Sequence, residues 1–173
     1  MEPRVKGRVI LFGDNINTDV IIHARHLRTI DPAELAEHAF EVLGDEYPQK
    51  LRQFDILVAG ENFGCGSARE QAASCLVGAG LKAVVASSFA RTFFRNAINT
   101  GLPIVECPPV RGAVQEGEEV EIDFARGTVT TPKGTFTFPG LPPSVMEILA
   151  VGGLVPYLKR KFATAGAPPP RAG

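Results

Sequence analysis

The chain has 173 residues, of which 45% are hydrophobic and 21% charged, a composition that excludes a chain disordered throughout. Its net charge of -1 leaves no basic excess for binding nucleic acid, and no apolar run approaches the ~18 residues of a membrane span. The N-terminus lacks the apolar core of a signal peptide. The odd number of cysteines, 3, is typical of reduced thiols. We therefore expect a cytoplasmic protein.

The first third of the chain predicts a strand, an irregular polar segment and a helix. Residues 7–12 form an apolar run typical of a strand, whereas residues 13–29 have no clear period. A helix is predicted from a cap at Asp31 to Gly44, because a proline follows the cap and apolar residues recur on one face. Residues 44–54 are predicted to form a polar loop.

The middle of the chain predicts a β-α-β-α-β unit. Buried apolar strands alternate with helical segments, an order that favours parallel strands joined by right-handed crossovers. Ser67 and Glu70 have the spacing of a capping box at the start of the first of these helices. The strands are predicted at 55–60, 82–87 and 103–107, and the helices at 69–80 and 89–99.

The last part of the chain changes character. Residues 117–139 alternate polar and apolar side chains between glycine turns, which predicts a pair of antiparallel hairpins. Two short helices are predicted next, the second over 154–162. Residues 163–173 are predicted to be a disordered tail, so residues 1–162 would form one domain. The predicted fold class is α/β, with a parallel-sheet core and flanking antiparallel hairpins.

The strongest functional signal is GENFGCGSARE at residues 60–70, between a predicted strand and a predicted helix. Ligands of open parallel sheets bind beyond the carboxyl ends of the strands, and a helix N-terminus attracts anions. Gly64 and Gly66 would let the backbone approach a ligand closely. Ser67 adds a hydroxyl, and Arg69 adds a bidentate clamp for a carboxylate. The segment predicts an anion site, with a purely structural turn and cap as the alternative.

This loop departs from three well-known motifs. Arg69 stands where a dinucleotide fingerprint needs its third glycine, and Gly66 stands where a Walker loop needs lysine. Ser67 lies in CGSAR rather than in the G-x-S-x-G of a nucleophile elbow, and all three histidines precede it. These departures argue against a serine hydrolase. They also weaken, without removing, the alternative of a stand-alone anion- or nucleotide-binding module.

A second polar cluster, GDNINTDVII, occupies residues 13–22. An Asx-rich turn accounts for Asp14 and Asn15. Asp19 is the better site candidate, because the apolar residues that follow it should anchor it. The cysteines lack the C-x-x-C pair of zinc and iron–sulfur sites, so we expect no metal or cofactor in this chain.

These two segments, with SSFARTFFRNAINTGLP at 87–103 and AVGGLVPYLKRK at 150–161, resemble the small subunits of the isopropylmalate dehydratase/homoaconitase family. That family is similar to the mobile last domain of aconitase. The resemblance implies a swivelling β/β/α domain and a hydro-lyase that isomerises a hydroxy polycarboxylate by dehydration and rehydration. It also implies a separate large subunit carrying a [4Fe–4S] cluster.

The resemblance assigns roles residue by residue. Ser67 matches the catalytic serine that removes a proton beside a carboxylate, and Arg69 matches an arginine that clamps a substrate carboxylate. Asp19 matches an aspartate neighbouring the active site. Gly66 and Ala68 are expected to meet the substrate through their backbone, Ala68 standing where the family often has a second serine.

The substrate is predicted from the loop at residues 23–29, HARHLRT, which in the family senses the substituent that distinguishes substrates. Arg28 in this loop would pair with the extra carboxylate of a homoaconitase substrate. Facing an isopropyl group, the same arginine would be desolvated without a partner. Isopropylmalate, the substrate in leucine biosynthesis, is the commoner one and is placed first, with homoaconitase activity as the alternative.

Overall fold

The computed structural model describes residues 3–166. The apolar runs form strands, and the segments between them form helices and turns. The strands are β1 (Arg4–Leu11), β2 (Ile56–Ala59), β3 (Ala83–Ala86), β4 (Ile104–Glu106), β5 (Glu119–Asp123), β6 (Thr128–Thr131) and β7 (Gly134–Thr137). The helices are α1 (Thr18–Ile21), α2 (Pro32–Ala36), α3 (Tyr47–Leu51), α4 (Glu70–Gly78), α5 (Arg91–Thr100), α6 (Pro143–Ala150) and α7 (Leu154–Ala165).

The seven strands form one mixed sheet in the order β4-β3-β2-β1-β5-β6-β7. Strands β1 to β4 run parallel, and β5 to β7 form antiparallel hairpins. The two parts meet in β1, whose residues 4–8 pair antiparallel with β5 and whose residues 9–11 pair parallel with β2. The predicted fold class is confirmed, and the hairpins continue the parallel sheet rather than forming a separate one.

Side-chain alternation along the parallel strands separates two apolar cores. Leu57 and Val84 face a core shared with the helices, including Leu76 of α4. Their neighbours Ile56 and Val85 face the second core, which they share with apolar side chains of the hairpins. The hairpins therefore curl over one face of the parallel sheet while helices cover the other, as β/β/α layers.

The helix predicted from Asp31 to Gly44 is wrong in its second half. Asp31 caps α2 as predicted, its side chain accepting from the Ala33 N–H, but α2 ends at Ala36. Phe40 adopts a left-handed φ of 58°, where its N–H donates to the carbonyl of Ile21 (2.9 Å) and its ring stacks on Phe12. These tertiary contacts outweigh the helical pattern.

Two further segments differ from the prediction. The loop predicted at 44–54 contains α3, whose Pro48 and Leu51 are buried. Helix α7 continues to Ala165, beyond the predicted domain end at residue 162, and residues 167–173 of the predicted tail lie outside the described residues. Among residues 3–166, no helix has the length and apolar character needed to cross a membrane.

Candidate active site

Three loops leave the carboxyl ends of β1, β2 and β3 and are hydrogen-bonded side by side. The Gly64 N–H donates to the carbonyl of Ile16 (2.8 Å), and the Ala90 N–H donates to the carbonyl of Phe63 (2.9 Å). Parallel bridges join Asn17 with Cys65 and Phe63 with Phe89. The loops thus prolong the sheet, and backbone hydrogen bonds hold the segments that carry their polar side chains.

Glycines permit the close approach of these loops. Gly64 has a φ of 83°, and a Cβ added to it would overlap the ring of Phe93. Gly66 has a φ of 91°, and a Cβ there would lie 2.6 Å from the side-chain amide of Asn17. Asp14 has a structural role, but through a distant contact rather than the predicted local Asx turn, because its Oδ1 accepts from the Glu61 N–H in the loop after β2 (2.7 Å). The glycines and Asp14 fix the shape of the site.

The capping box assigned to Ser67 is wrong. Helix α4 begins at Glu70, and its N-cap position is Arg69, whose side chain makes no capping bond. Ser67 is exposed two residues before the cap, and within residues 3–166 no hydrogen bond occupies its hydroxyl. The structural alternative for this serine therefore fails, because its side chain does not cap the helix.

The position of Ser67 is set by a residue that the sequence analysis missed. Thr18 is 1% exposed, and its hydroxyl donates to the carbonyl of Ser67 (2.8 Å). The Thr18 N–H also donates to the carbonyl of Cys65 (2.9 Å). No local sequence signal distinguishes Thr18 from its polar neighbours, because both of its contacts are with a loop nearly 50 positions away in the chain.

Ser67 and the two residues that follow it have backbone N–H groups without a partner among residues 3–166. In the described part of the chain, the backbone N–H groups of Ser67, Ala68 and Arg69 donate no hydrogen bond. These amides precede α4, a helix of nine residues whose N-terminal end carries partial positive charge. Unpaired donors at such a position suit a carboxylate. The substrate contacts that the resemblance implies for Gly66 and Ala68 remain predictions.

Asp19 and Arg69 were predicted separately, and the structure joins them. The Arg69 Nη1 donates to Asp19 Oδ1 and to the carbonyl of Ile22 (3.3 Å). Arg69 is the more buried partner, its side chain 14% exposed against 52% for Asp19. No hydrogen bond within the described residues uses the Nε or Nη2 of Arg69. One edge of the guanidinium is thereby fixed, and the other has no hydrogen-bond partner among the described residues.

Arg28 is not part of this hydrogen-bonded group. It is exposed, and within residues 3–166 no hydrogen bond or ion pair holds its side chain. It follows a short 3-10 turn, Ala24–His26, that His23 caps by accepting from the Arg25 N–H (3.1 Å). Within the described residues, no hydrogen bond or ion pair therefore links the predicted substrate-sensing arginine to Ser67 or Arg69.

A second cluster, which the sequence analysis did not predict, holds the same turn. The rings of His26 and His38 stack with centroids 3.7 Å apart, and both contact the carboxylate of Glu41. Arg25 donates to the same carboxylate (2.7 Å). Burial acts to raise the pKa of Glu41, but the hydrogen bonds from Arg25, His38 and His26 lower it to about 2.

The cysteines do not fit an iron–sulfur cluster in this chain. Cys75 is buried in the core on the helix side of the sheet, and Cys107 is buried in the core on the hairpin side. Cys65 is half-buried in the loop before α4. Burial raises the pKa of the Cys75 and Cys107 thiols, which opposes the thiolate form that binds metal.

The chain is similar to known proteins over most of its length. Residues 13–109 match the family described as the aconitase C-terminal domain. The chain is 50% identical to the 3-isopropylmalate dehydratase small subunit of Aliarcobacter butzleri over 93% of this chain and 98% of that one. It is 46% identical to the 2,3-dimethylmalate dehydratase small subunit of Eubacterium barkeri, covering 90% and 96% of the two chains. The crystal structure of a 3-isopropylmalate dehydratase from Methanocaldococcus jannaschii superposes with a TM-score of 0.87, at 42% identity and with 94% and 98% of the two chains covered.

Proposed function

The chain belongs to the aconitase C-terminal domain family and, within it, to the dehydratase small subunits, and we propose from this that it acts in 3-isopropylmalate dehydratase. The enzyme is a hydro-lyase that isomerises its hydroxy dicarboxylate by removing water and adding it back. The single observation that carries the proposal is that, within residues 3–166, the Ser67 hydroxyl, the neighbouring backbone amides and the Nε and Nη2 of Arg69 have no hydrogen-bond partner.

Ser67 is proposed to move the proton on the carbon beside a substrate carboxylate. A serine hydroxyl is a weak acid, so its deprotonated form needs stabilising positive potential. The N-terminus of α4, the free amides around Ala68 and the Arg69 cation supply such potential in fixed positions. Because the serine does not cap α4, its oxygen is not diverted to a structural bond.

Arg69 is proposed to bind one substrate carboxylate. Asp19 and the Ile22 carbonyl hold its Nη1, which leaves the Nε and Nη2 donors for a bidentate contact. Asp19 then acts as the residue that orients the guanidinium. This arrangement lowers the cost of binding, because the arginine side chain is ordered before the substrate arrives.

A large partner subunit is proposed to complete the site, since the relatives are named small subunits. We place a [4Fe–4S] cluster in that partner, where the iron would bind the substrate hydroxyl. The docking face is proposed to carry residues 14–29 and 61–69, and Ile30, 84% exposed at the edge of the first segment, suits such a contact. The unpaired thiols of all three cysteines support a reducing, cytoplasmic location.

The substrate is proposed to be isopropylmalate, with a homoaconitase substrate as the alternative. The relative from Eubacterium barkeri is named for 2,3-dimethylmalate, another malate with small apolar substituents, and this supports the first choice. The exposed and unpaired Arg28 supports the second, because it is free to meet an added carboxylate.

The test is co-expression of the chain with a candidate large subunit, followed by an anaerobic assay of the unsaturated acid formed from each substrate. We expect activity only when both subunits are present, and faster turnover of isopropylmalate. A chain that binds nucleotides tightly in calorimetry, and never supports dehydration with any large subunit, would establish the stand-alone binding module instead.

A further inference from the structure

We propose that His26, His38 and Glu41 form a binding site for one divalent cation of the zinc type. The three side chains come from two nearby segments of the chain, the turn Ala24–His26 and the segment around the short 3-10 helix Glu41–Leu43, with His26 and Glu41 15 positions apart. One ligand atom from each lies within 4.8 Å of the other two. This site does not depend on the proposed dehydratase activity.

The donor set suits a borderline cation. Two imidazole nitrogens and a carboxylate oxygen are common ligands of Zn²⁺, which they approach to about 2.0–2.2 Å. The two rings present their nitrogens to opposite oxygens of Glu41, with His38 Nδ1 2.8 Å from Oε2, and because the rings stack 3.7 Å apart they must tilt for both nitrogens to reach one ion. All three side chains are partly accessible, so a cation can enter and keep water as a further ligand.

The hydrogen bonds of His26 are in conflict. Its Nε2 lies against Glu41 Oε1, an acceptor, and 3.2 Å from Arg25 Nε, a donor. One ring nitrogen either carries a proton or accepts one, so it satisfies only one of these partners at a time. A cation bound between Nε2 and the carboxylate would remove the conflict, because both atoms would then act as electron-pair donors.

Arg25 is the group that such a cation must displace. Its Nη2 lies 2.7 Å from Glu41 Oε1, in the region that the cation would occupy. The side chain is mostly exposed, so it can move into solvent at little steric cost. Its positive charge nevertheless opposes a dication, and removal of that charge should tighten binding. Replacement of Arg25 therefore distinguishes a metal site, which should bind the cation more tightly, from a cluster that only supports the turn through hydrogen bonds.

The experiment is calorimetric titration of the tag-free full-length chain with Zn²⁺ alone. We expect one ion per chain, at least about tenfold weaker binding in His38→Gln and Glu41→Gln, and about fivefold tighter binding in Arg25→Gln. His23→Gln is the matched control, since His23 lies in the same turn but outside the cluster, and it should bind as the wild type does. Circular dichroism of each variant checks that it remains folded.

A cobalt spectrum supplies the second measurement, and it needs only the wild type and Arg25→Gln. We expect visible Co²⁺ bands without a thiolate charge-transfer band, because no cysteine belongs to the cluster. A thiolate band, an absence of binding, equal affinity in Glu41→Gln, or weaker binding in Arg25→Gln would each overturn the proposal.

Discussion

Replacing Thr18 with valine should displace Ser67 while lowering the stability of the fold only slightly. Valine keeps the shape of the buried side chain and removes the hydroxyl that donates to the Ser67 carbonyl at 2.8 Å. Loss of one such bond costs about 0.5–1.5 kcal/mol, which corresponds to a fall in Tm of about 2–5 °C for a chain of this size. The fold should therefore survive.

Turnover should respond much more strongly than stability. A displacement of about 1 Å at a reacting group can cost about 10²-fold in rate, so we expect kcat to fall about 10- to 100-fold. KM should change less than about threefold, because Asp19 holds Arg69 independently of Thr18. The measurement is steady-state kinetics of the assembled enzyme, with thermal unfolding of the free subunit.

Thr18→Ser is the matched control. Serine keeps the hydroxyl and loses a methyl group, which costs a similar ~1 kcal/mol through the cavity left behind. The Thr18→Ser variant should therefore have a Tm close to that of Thr18→Val and a kcat close to that of the wild type. If the two variants lose kcat equally, the bond from Thr18 to the Ser67 carbonyl does not position the serine, and the reasoning is refuted.

Three further changes test separate parts of the site. Ser67→Ala should lower kcat of the assembled enzyme by about 10²–10⁴-fold with a Tm within ~2 °C of wild type, because the exposed serine caps no helix; a folded, active variant would exclude it as the base. Arg28→Val should lower kcat/KM about 10²-fold for a substrate with an extra carboxylate and spare isopropylmalate, whereas equal losses would show that Arg28 does not sense the substituent. Gly64→Ala should destabilise the chain to urea by at least ~2 kcal/mol more than Gly80→Ala, since both have a positive φ but only the first meets Phe93; equal costs would contradict that packing.

The parallel half of the fold could be predicted because its signals are local. Residues such as Leu57 and Val84 lie in short apolar runs between helical segments, and such runs predict buried parallel strands without knowledge of any contact. The helix predicted through Phe40 failed because a distant carbonyl, that of Ile21, takes its N–H. The hydrophobic pattern around Phe40 contains no information about such a distant contact.

For the candidate site as well, local signals predicted some features and distant contacts determined others. Ser67, Arg69 and Asp19 could be singled out from residue type, loop position and family resemblance. Their arrangement could not, because the contacts of Thr18 with Ser67 and of Asp19 with Arg69 span 49 and 50 positions. The Ser67 capping box had the correct spacing, yet the loop containing Ser67 pairs with the loop after β1, and α4 starts only at Glu70.

Strand β1 connects the antiparallel hairpins to the parallel sheet, and this has a consequence for unfolding. Its first half is bonded to β5 and its second half to β2, while Val5 and Ile10 point into different cores. Detaching the hairpins would break the pairing of β5 with β1, which also pairs with β2. It would also expose the apolar face of the parallel sheet that the hairpins cover. The two layers are thus coupled into one cooperative unit, in which the slowest amide exchange should report global unfolding. We therefore expect the loops after β1, β2 and β3 to lose their structure together with the hairpins.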